Sequence, residues 1–179
     1  MKKTTLKFLG AIFGTAALAS CGGGGLNEAT TSSISSFDST WTATMGSANQ
    51  WVSDAQAQVA KWETDHAAMD EMMTTWDKKM MEAQTANVAV CHAVGGKGNA
   101  VIQTAQDAIT AWGAEGSAWA DWKKKADDGD VNQEEADSTM TSWNDKLGAA
   151  NTAMSDWSTQ WSAITTEHDA AEAAMKAPM

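Results

Sequence analysis

Apolar residues recur at alternating intervals of four and three along three long stretches of the chain. The first stretch runs from Trp41 to Val90, the second from Ile102 to Ala126 and the third from Ala136 to Met175. This spacing places apolar side chains on one stripe of an α-helix and lets helices pack side by side as in a coiled coil. The pattern predicts an all-α fold: an elongated, antiparallel, coiled-coil-like three-helix bundle.

Two polar segments that contain glycine separate the three stretches, and they predict the turns. Residues 95–99 read Gly-Gly-Lys-Gly-Asn, and residues 127–130 read Asp-Asp-Gly-Asp. Glycine and aspartate clusters between periodic segments are typical of turns. We therefore predict helices over about 38–91, 99–127 and 131–176, within a bundle that occupies residues 37–179.

The predicted helices differ in length, and this bears on partners. At 1.5 Å per residue they would span roughly 80, 40 and 70 Å. Ends that protrude from the bundle would leave apolar stripes uncovered. The sequence thus predicts self-association or a partner helix supplied by another envelope protein.

Tryptophan is the compositional oddity, with ten residues against three Phe and no Tyr. Eight of the ten fall on the apolar stripes, where large rings facing alanine can fill a core. A ligand site or a membrane-facing aromatic belt is the alternative. Trp41, Trp51 and Trp122 are the rings that we expect the bundle to leave uncovered.

The N-terminus has the layout of an export signal. Lys2, Lys3 and Lys7 precede an apolar stretch over residues 8–18 that is too short to span a bilayer, and Leu18-Ala19-Ser20-Cys21 follows. This order resembles the signal peptide and lipobox of bacterial lipoproteins. The resemblance implies removal of residues 1–20, lipidation of Cys21, and anchoring by lipid, most simply in the outer membrane, facing the periplasm or the cell surface.

Residues 21–36 then read as the lipidated cysteine and a flexible tether, because four glycines and a Thr/Ser-rich run follow Cys21. The chain has a formal net charge of −11. Three of its twelve lysines and none of its acids lie in the signal, so the mature chain would carry −14. Such a surface repels nucleic acid, and we predict none as a partner.

Helix one carries a candidate copper site. His66, Met69 and Met73 share one helical face, and imidazole and thioether groups are copper ligands. The alternative is that these side chains are core packing, since Met fills irregular gaps. In the predicted bundle His168 should lie far from His66, so one site using both is not expected.

The second predicted turn resembles the latter half of an EF-hand calcium loop, with Asp128, Asp130 and Glu135 as the ligands that the resemblance implies. The first half departs from the pattern, because Lys124 and Ala126 stand where calcium needs oxygen ligands. Only weak calcium binding would follow. A capped, acidic turn explains the same residues.

Cys91 is the only cysteine besides Cys21. In an oxidising compartment it is a candidate for an intermolecular disulfide, or it is half buried and inert. Cys91-His92 is similar to a c-type haem attachment site, but Val88 stands in place of the first cysteine, so a second thioether cannot form. No catalytic set can be assembled from three His, and we predict that the protein is not an enzyme.

These features together predict a membrane-anchored lipoprotein whose helical bundle is a structural spacer, scaffold or partner-binding module in the cell envelope. The alternative function is a periplasmic metal-binding protein. No cofactor is predicted apart from copper at His66, Met69 and Met73, or weakly bound calcium at the 128–135 turn.

Overall fold

A computed structural model describes residues 25–176 of the chain. They form three α-helices: α1 (Glu28–Met73), α2 (Lys78–Asp127) and α3 (Gln133–Lys176). Each helix contacts both others, as in a helical bundle. Within this part of the chain there is no β-strand. The predicted all-α class and the number of helices are confirmed.

Helix α1 begins earlier than the sequence pattern predicts. The Asn27 side chain caps it by accepting a hydrogen bond from the Thr30 backbone N–H at 2.8 Å. Ile34 and Phe37, one turn apart, are buried in a core cluster that includes Trp119. The predicted tether is therefore wrong over residues 28–36, because burial of these apolar side chains outweighs the Thr/Ser composition. Cys21 and the signal peptide lie outside the described residues.

The first chain reversal lies at residues 74–77, between α1 and α2. The Thr74 and Thr75 hydroxyls donate to the carbonyls of Glu71 and Met72, each at 2.7 Å, and satisfy the end of α1. Asp77 then caps α2 by accepting from the Met80 backbone N–H at 2.8 Å. The prediction of one helix over 38–91 is wrong.

The predicted turn at residues 95–99 is also wrong, because these residues lie inside α2. Gly98 is in contact range of both neighbouring helices. A Cβ atom there would lie 3.0 Å from Val59 on α1 and 3.3 Å from Trp161 on α3. This glycine serves close helix packing rather than a turn.

The buried stripe of α2 differs in register from the predicted one. The pattern that continues from α1 places Ala83 and Val90 in the core, whereas Gln84 and Cys91 are buried. The chain reverses at 74–77, so α2 has its own helical phase. This shift of one residue turns the Cys91 thiol inward.

The second chain reversal is where the sequence predicts it. Residues 128–132 connect α2 to α3, and Gly129 has a φ of +83°. Glycine adopts that backbone conformation without a steric penalty. The Asn132 side chain accepts from the Glu135 backbone N–H at 3.0 Å at the start of α3.

The three helices are similar in length, with 46, 50 and 44 residues, or roughly 65–75 Å each. Contacts pair the start of α1 with the start of α3, where the Asn27 backbone N–H donates to Gln133 at 2.9 Å. Trp119, late in α2, donates to Asp38, early in α1, at 2.9 Å. The predicted length mismatch, with its uncovered stripes, is wrong.

Five of the ten tryptophans are buried in the core, and four more are partly buried and packed against it. Trp41 is 5% exposed and packs on Phe37 and Trp143, so the expectation that it stays uncovered is wrong. Trp51 and Trp122 are half buried. The interpretation of the tryptophan excess as core packing is therefore supported for the described helices.

Candidate metal centre

The three helices bring one potential metal ligand each to a single point. His66 comes from α1, Cys91 from α2 and His168 from α3, and one ligand atom of each lies within 4.8 Å of the other two. The cluster lies towards the end of the bundle that holds the 74–77 turn. The expectation that His66 and His168 lie far apart is wrong, because the observed pairing of α1 with α3 brings them together.

The spacing of the two imidazoles suits a shared metal ion. The Nε2 atoms of His66 and His168 are 3.2 Å apart. Two imidazole nitrogens bound at 2.0–2.1 Å to one tetrahedral ion lie roughly 3.3 Å apart. The same distance also permits one neutral ring to donate a hydrogen bond to the other. This distance is therefore compatible with a shared metal ion and also with a direct hydrogen bond between the two rings.

The cluster is well enclosed. Cys91 is 1% exposed and His168 is 3% exposed, while His66 is half buried. The His168 Nδ1 atom is buried and has no hydrogen-bond partner. A carboxylate oxygen of the adjacent Asp169 is 3.5 Å from Nδ1, too far for a good hydrogen bond. Buried polar atoms without partners are uncommon, which marks this ring as unusual.

Burial shifts the pKa values of two groups in the cluster, His66 and Cys91. It lowers the pKa of His66, and the neighbouring His168 and His92 rings lower it further, whereas Asp70 and Asp65 oppose the shift. Burial raises the pKa of the Cys91 thiol, and Glu172 adds to this rise. Without metal, the site therefore favours a neutral imidazole at His66 and a protonated thiol. A bound cation would displace the thiol proton.

The third histidine of the chain lies on the outer side of the cluster. The His92 ring stacks on His66 at 5.6 Å with the planes 7° apart. Its Nε2 lies 3.0 Å from the Asp70 carboxylate, and both side chains are about half exposed. His92 and Asp70 thus form a polar surface beside the buried ligands.

Methionine completes the surroundings of the site. Met69 is 8% exposed and belongs to the same buried cluster as Cys91 and Ala171, with Met73 and Met175 packed against it. Met72 and Met81, at the same end of the bundle, are exposed by 52% and 41%. The predicted group of His66, Met69 and Met73 is thus brought to one region, joined by Cys91 and His168.

A second group of potential ligands shares His168. It comprises His168, Asp169 and Glu172, all on α3. Asp169 is mostly exposed. Exposed carboxylates on one helix are common on an acidic protein, so this group is less specific than the one built from three helices.

The calcium hypothesis gains no support from the geometry. Neither ligand group found within residues 25–176 includes Asp128, Asp130 or Glu135. Asp128 is paired with Lys124, and the Glu135 backbone N–H is capped by Asn132. These contacts are those of a capped turn.

The burial of Cys91 also bears on its predicted disulfide. A thiol that is 1% exposed cannot reach a second chain while the helices stay packed. The structure favours the buried alternative. Cys21, the predicted lipidation site, is outside the described residues.

The sequence alone points to His66 but not to its partners. Cys91 falls off the predicted stripe because the turn at 74–77 resets the helical phase. His168 lies 102 positions from His66, and the predicted turn placed it far away. One feature of the sequence could have indicated the cluster: His66, His168 and the Cys91-His92 pair all occur in or beside apolar stripes.

No protein-family model matches the chain, and no curated protein or solved structure is significantly similar to it. Within residues 25–176, no helix is both long enough and apolar enough to cross a membrane.

Proposed function

We propose that this protein is a lipid-anchored transition-metal-binding protein of the bacterial cell envelope. The observation that carries the proposal is the convergence of His66, Cys91 and His168 from three different helices on one buried point. Imidazole and thiolate groups are ligands that zinc and copper prefer. The proposed function thus combines the metal binding predicted as the alternative with the predicted lipid anchor.

The architecture that supports this function is an elongated, antiparallel, coiled-coil-like bundle. In this arrangement α1 and α3 run in one direction and α2 in the other. The lipid at Cys21 would lie near the start of α1, and His66 is 38 residues further along that helix. At 1.5 Å per residue the site would be held roughly 55–60 Å from the start of the bundle. The bundle then acts as a spacer that presents the site away from the membrane.

A scaffold or partner-binding role is the second candidate function. It is favoured by the exposed Met72 and Met81 side chains beside the 74–77 turn, since methionine is common on adaptable binding surfaces. Self-association stays a prediction. The similar helix lengths remove the argument from uncovered ends on which it was based. Capture of a specific envelope protein, lost on changing both methionines to Ser, would support this role.

Metal binding is tested with Co²⁺, whose visible spectrum reports tetrahedral geometry and thiolate bonds. We expect one Co²⁺ per chain in the full-length protein purified in detergent, and displacement by Zn²⁺. Cys91→Ser and His168→Gln should each weaken Co²⁺ binding by at least about 10–100-fold, because even residues that only orient a ligand have effects of that size.

The matched control is the Asp130→Asn/Glu135→Gln variant, which removes charges from the predicted calcium turn and should leave Co²⁺ binding unchanged. Absence of a stoichiometric complex with each of Co²⁺, Zn²⁺ and Cu²⁺ at micromolar metal would refute the metal-binding function. Equal loss in the control variant would show that the metal binds to surface carboxylates instead.

The anchor is tested separately. In a Cys21→Ser variant no acyl chain can be attached at this position, so the lipid anchor should be lost. Metabolic labelling with a fatty acid should mark the wild-type chain and not the variant. Labelling of both chains would contradict lipidation at Cys21.

A further inference from the structure

We propose that the bound metal is copper, held by the imidazoles of His66 and His168, the Cys91 thiolate and, more weakly, the Met69 thioether. This inference rests on the proposed metal-binding function and names its metal. Two imidazoles, one thiolate and a weak axial thioether are the donor set of mononuclear copper sites that exchange one electron. Here a helical bundle would supply that set.

The position of Met69 supports its role as the fourth donor. It follows His66 by three residues, so both side chains lie on the same face of α1. Met69 is 8% exposed and packs in the same buried cluster as Cys91. Of the methionines around the cluster, Met72 and Met81 are exposed, and Met73 and Met175 are only partly buried. Met69 alone is buried in the cluster that holds the thiol.

The chemistry of the donors favours copper over zinc. Structural zinc sites are closed by four strong ligands, and catalytic ones by three ligands and a water. The usual zinc ligands are Cys, His, Asp and Glu, whereas a weak axial Met belongs to the His₂Cys copper sites. The enclosure of Cys91 and His168 leaves little room for a water ligand, since both are almost fully buried.

The burial of Cys91 also protects a copper–thiolate complex from oxidation of the thiol to a disulfide. Cu²⁺ commonly oxidises exposed thiols to disulfides, which needs two sulfur atoms in contact. Cys91 is 1% exposed and is the only cysteine in residues 25–176. A second chain therefore cannot supply the other sulfur atom while the bundle is folded.

In the proposed redox step one electron is transferred, and no covalent bond is made or broken. Cu²⁺ accepts one electron from an external one-electron reductant and becomes Cu⁺, while Cys91 remains a bound thiolate. The partly exposed His92 ring, stacked on His66, lies between the site and solvent. The buried Trp62 ring stacks on His168 at 4.9 Å. A redox partner would thus approach the site from the side on which His92 lies.

The experiment adds Cu²⁺ to the metal-free, full-length protein in detergent. We expect one copper per chain and an intense visible absorption from thiolate-to-Cu²⁺ charge transfer. Ascorbate should bleach the band and ferricyanide should restore it over repeated cycles. Electron paramagnetic resonance of the wild-type protein should show the small copper hyperfine splitting of a covalent thiolate, a readout that needs no variant.

Two variants test the two proposed sulfur donors, Cys91 and Met69, separately. Cys91→Ser should abolish the band. Met69→Leu, which keeps the side-chain volume, should retain the band and raise the reduction potential, because loss of a donor disfavours Cu²⁺ more than Cu⁺. The matched control Met81→Leu, on the exposed surface, should leave both the band and the potential unchanged. An unchanged potential in Met69→Leu would overturn the role of Met69.

The outcomes distinguish this inference from the function on which it rests. Stoichiometric Co²⁺ binding without a reversible Cu²⁺–thiolate band would overturn the copper assignment and keep the metal-binding function. Failure of both Co²⁺ and Cu²⁺ to bind would overturn both. Copper bound with an ordinary, weakly coloured spectrum would likewise reject thiolate ligation by Cys91.

Discussion

Gly98 shows how the absence of a side chain sets the distance between helices. It is buried in α2, and a Cβ atom there would press on Val59 and Trp161. Gly96, two residues earlier, is exposed and has nothing within 4 Å of its added Cβ. The two glycines look alike in the sequence, but only one lies at a helix contact.

Gly98→Leu should therefore lower the free energy of unfolding by about 1–3 kcal/mol, as overpacking of a core does. Gly96→Leu is the control and should raise it by roughly 0.5–1 kcal/mol, because leucine favours the helix over glycine. Urea unfolding of both variants measures this. Equal stability of the two variants would mean that residues 95–99 are outside the packed helix.

At the cluster of His66, Cys91 and His168, burial should make the protein without bound metal sensitive to acid. The folded pKa of His66 is below its ordinary 6.5, owing to burial and to His168 and His92, and despite Asp70 and Asp65. Below pH 6.5 the unfolded chain then binds more protons, so the free energy of unfolding should fall as the pH drops from 6.5 towards the lowered folded pKa.

Urea unfolding of the chelator-treated protein between pH 5 and 7.5 tests this, and the stability present above pH 6.5 should decline on acidification. His66→Gln is the control, because it cannot titrate and should show a flatter profile. A steeper profile in His66→Gln than in the wild type would contradict the lowered pKa.

At the scale of elements, the position of the first turn decides which residues face the core. Thr74, Thr75 and Asp77 provide the hydrogen bonds that end α1 and begin α2. Residues 95–99 lack any such caps and continue the helix. Consequently α2 is 50 residues long, and its buried stripe includes Cys91.

Asp77→Ala should lower the free energy of unfolding by about 1 kcal/mol, the usual effect of losing a helix N-cap. Asn99→Ala is the matched control. Asn99 is exposed in the interior of α2, so alanine there should be neutral or slightly stabilising. A larger loss in Asn99→Ala than in Asp77→Ala would favour a helix start near residue 99.

At the scale of the whole molecule, the three similar helix lengths let each helix cover the others along the bundle. Two cross-helix ion pairs between α2 and α3 report this alignment. Lys97 lies 2.6 Å from Glu167, and Lys146 pairs with Glu115. The predicted turn at 95–99 would place Lys97 at a tip of the bundle instead.

A zero-length carbodiimide should therefore cross-link Lys97 to Glu167 and Lys146 to Glu115, because both pairs are in direct contact. Mass spectrometry of a mixture of isotopically light and heavy chains distinguishes links within a chain from links between chains. We expect both links within single chains. Mixed light–heavy links at these pairs would instead indicate that α3 packs on another copy.

The sequence by itself determined the helical class, the number of helices, the apolar stripe of α3 and the second turn. These features depend on local periodicity and on residues such as Gly129, whose conformational preference acts within a few positions. The burial of Trp143, Leu147 and Trp157 follows directly from their spacing.

Only the tertiary structure decided the first turn and the grouping of His66, Cys91 and His168. Glycine is compatible both with a turn and with close helix packing, so composition could not choose between residues 74–77 and 95–99. His66, Cys91 and His168 come together only when the chain reverses at residues 74–77 and 128–132. Their proximity depends on the contacts of three helices, which no local pattern contains.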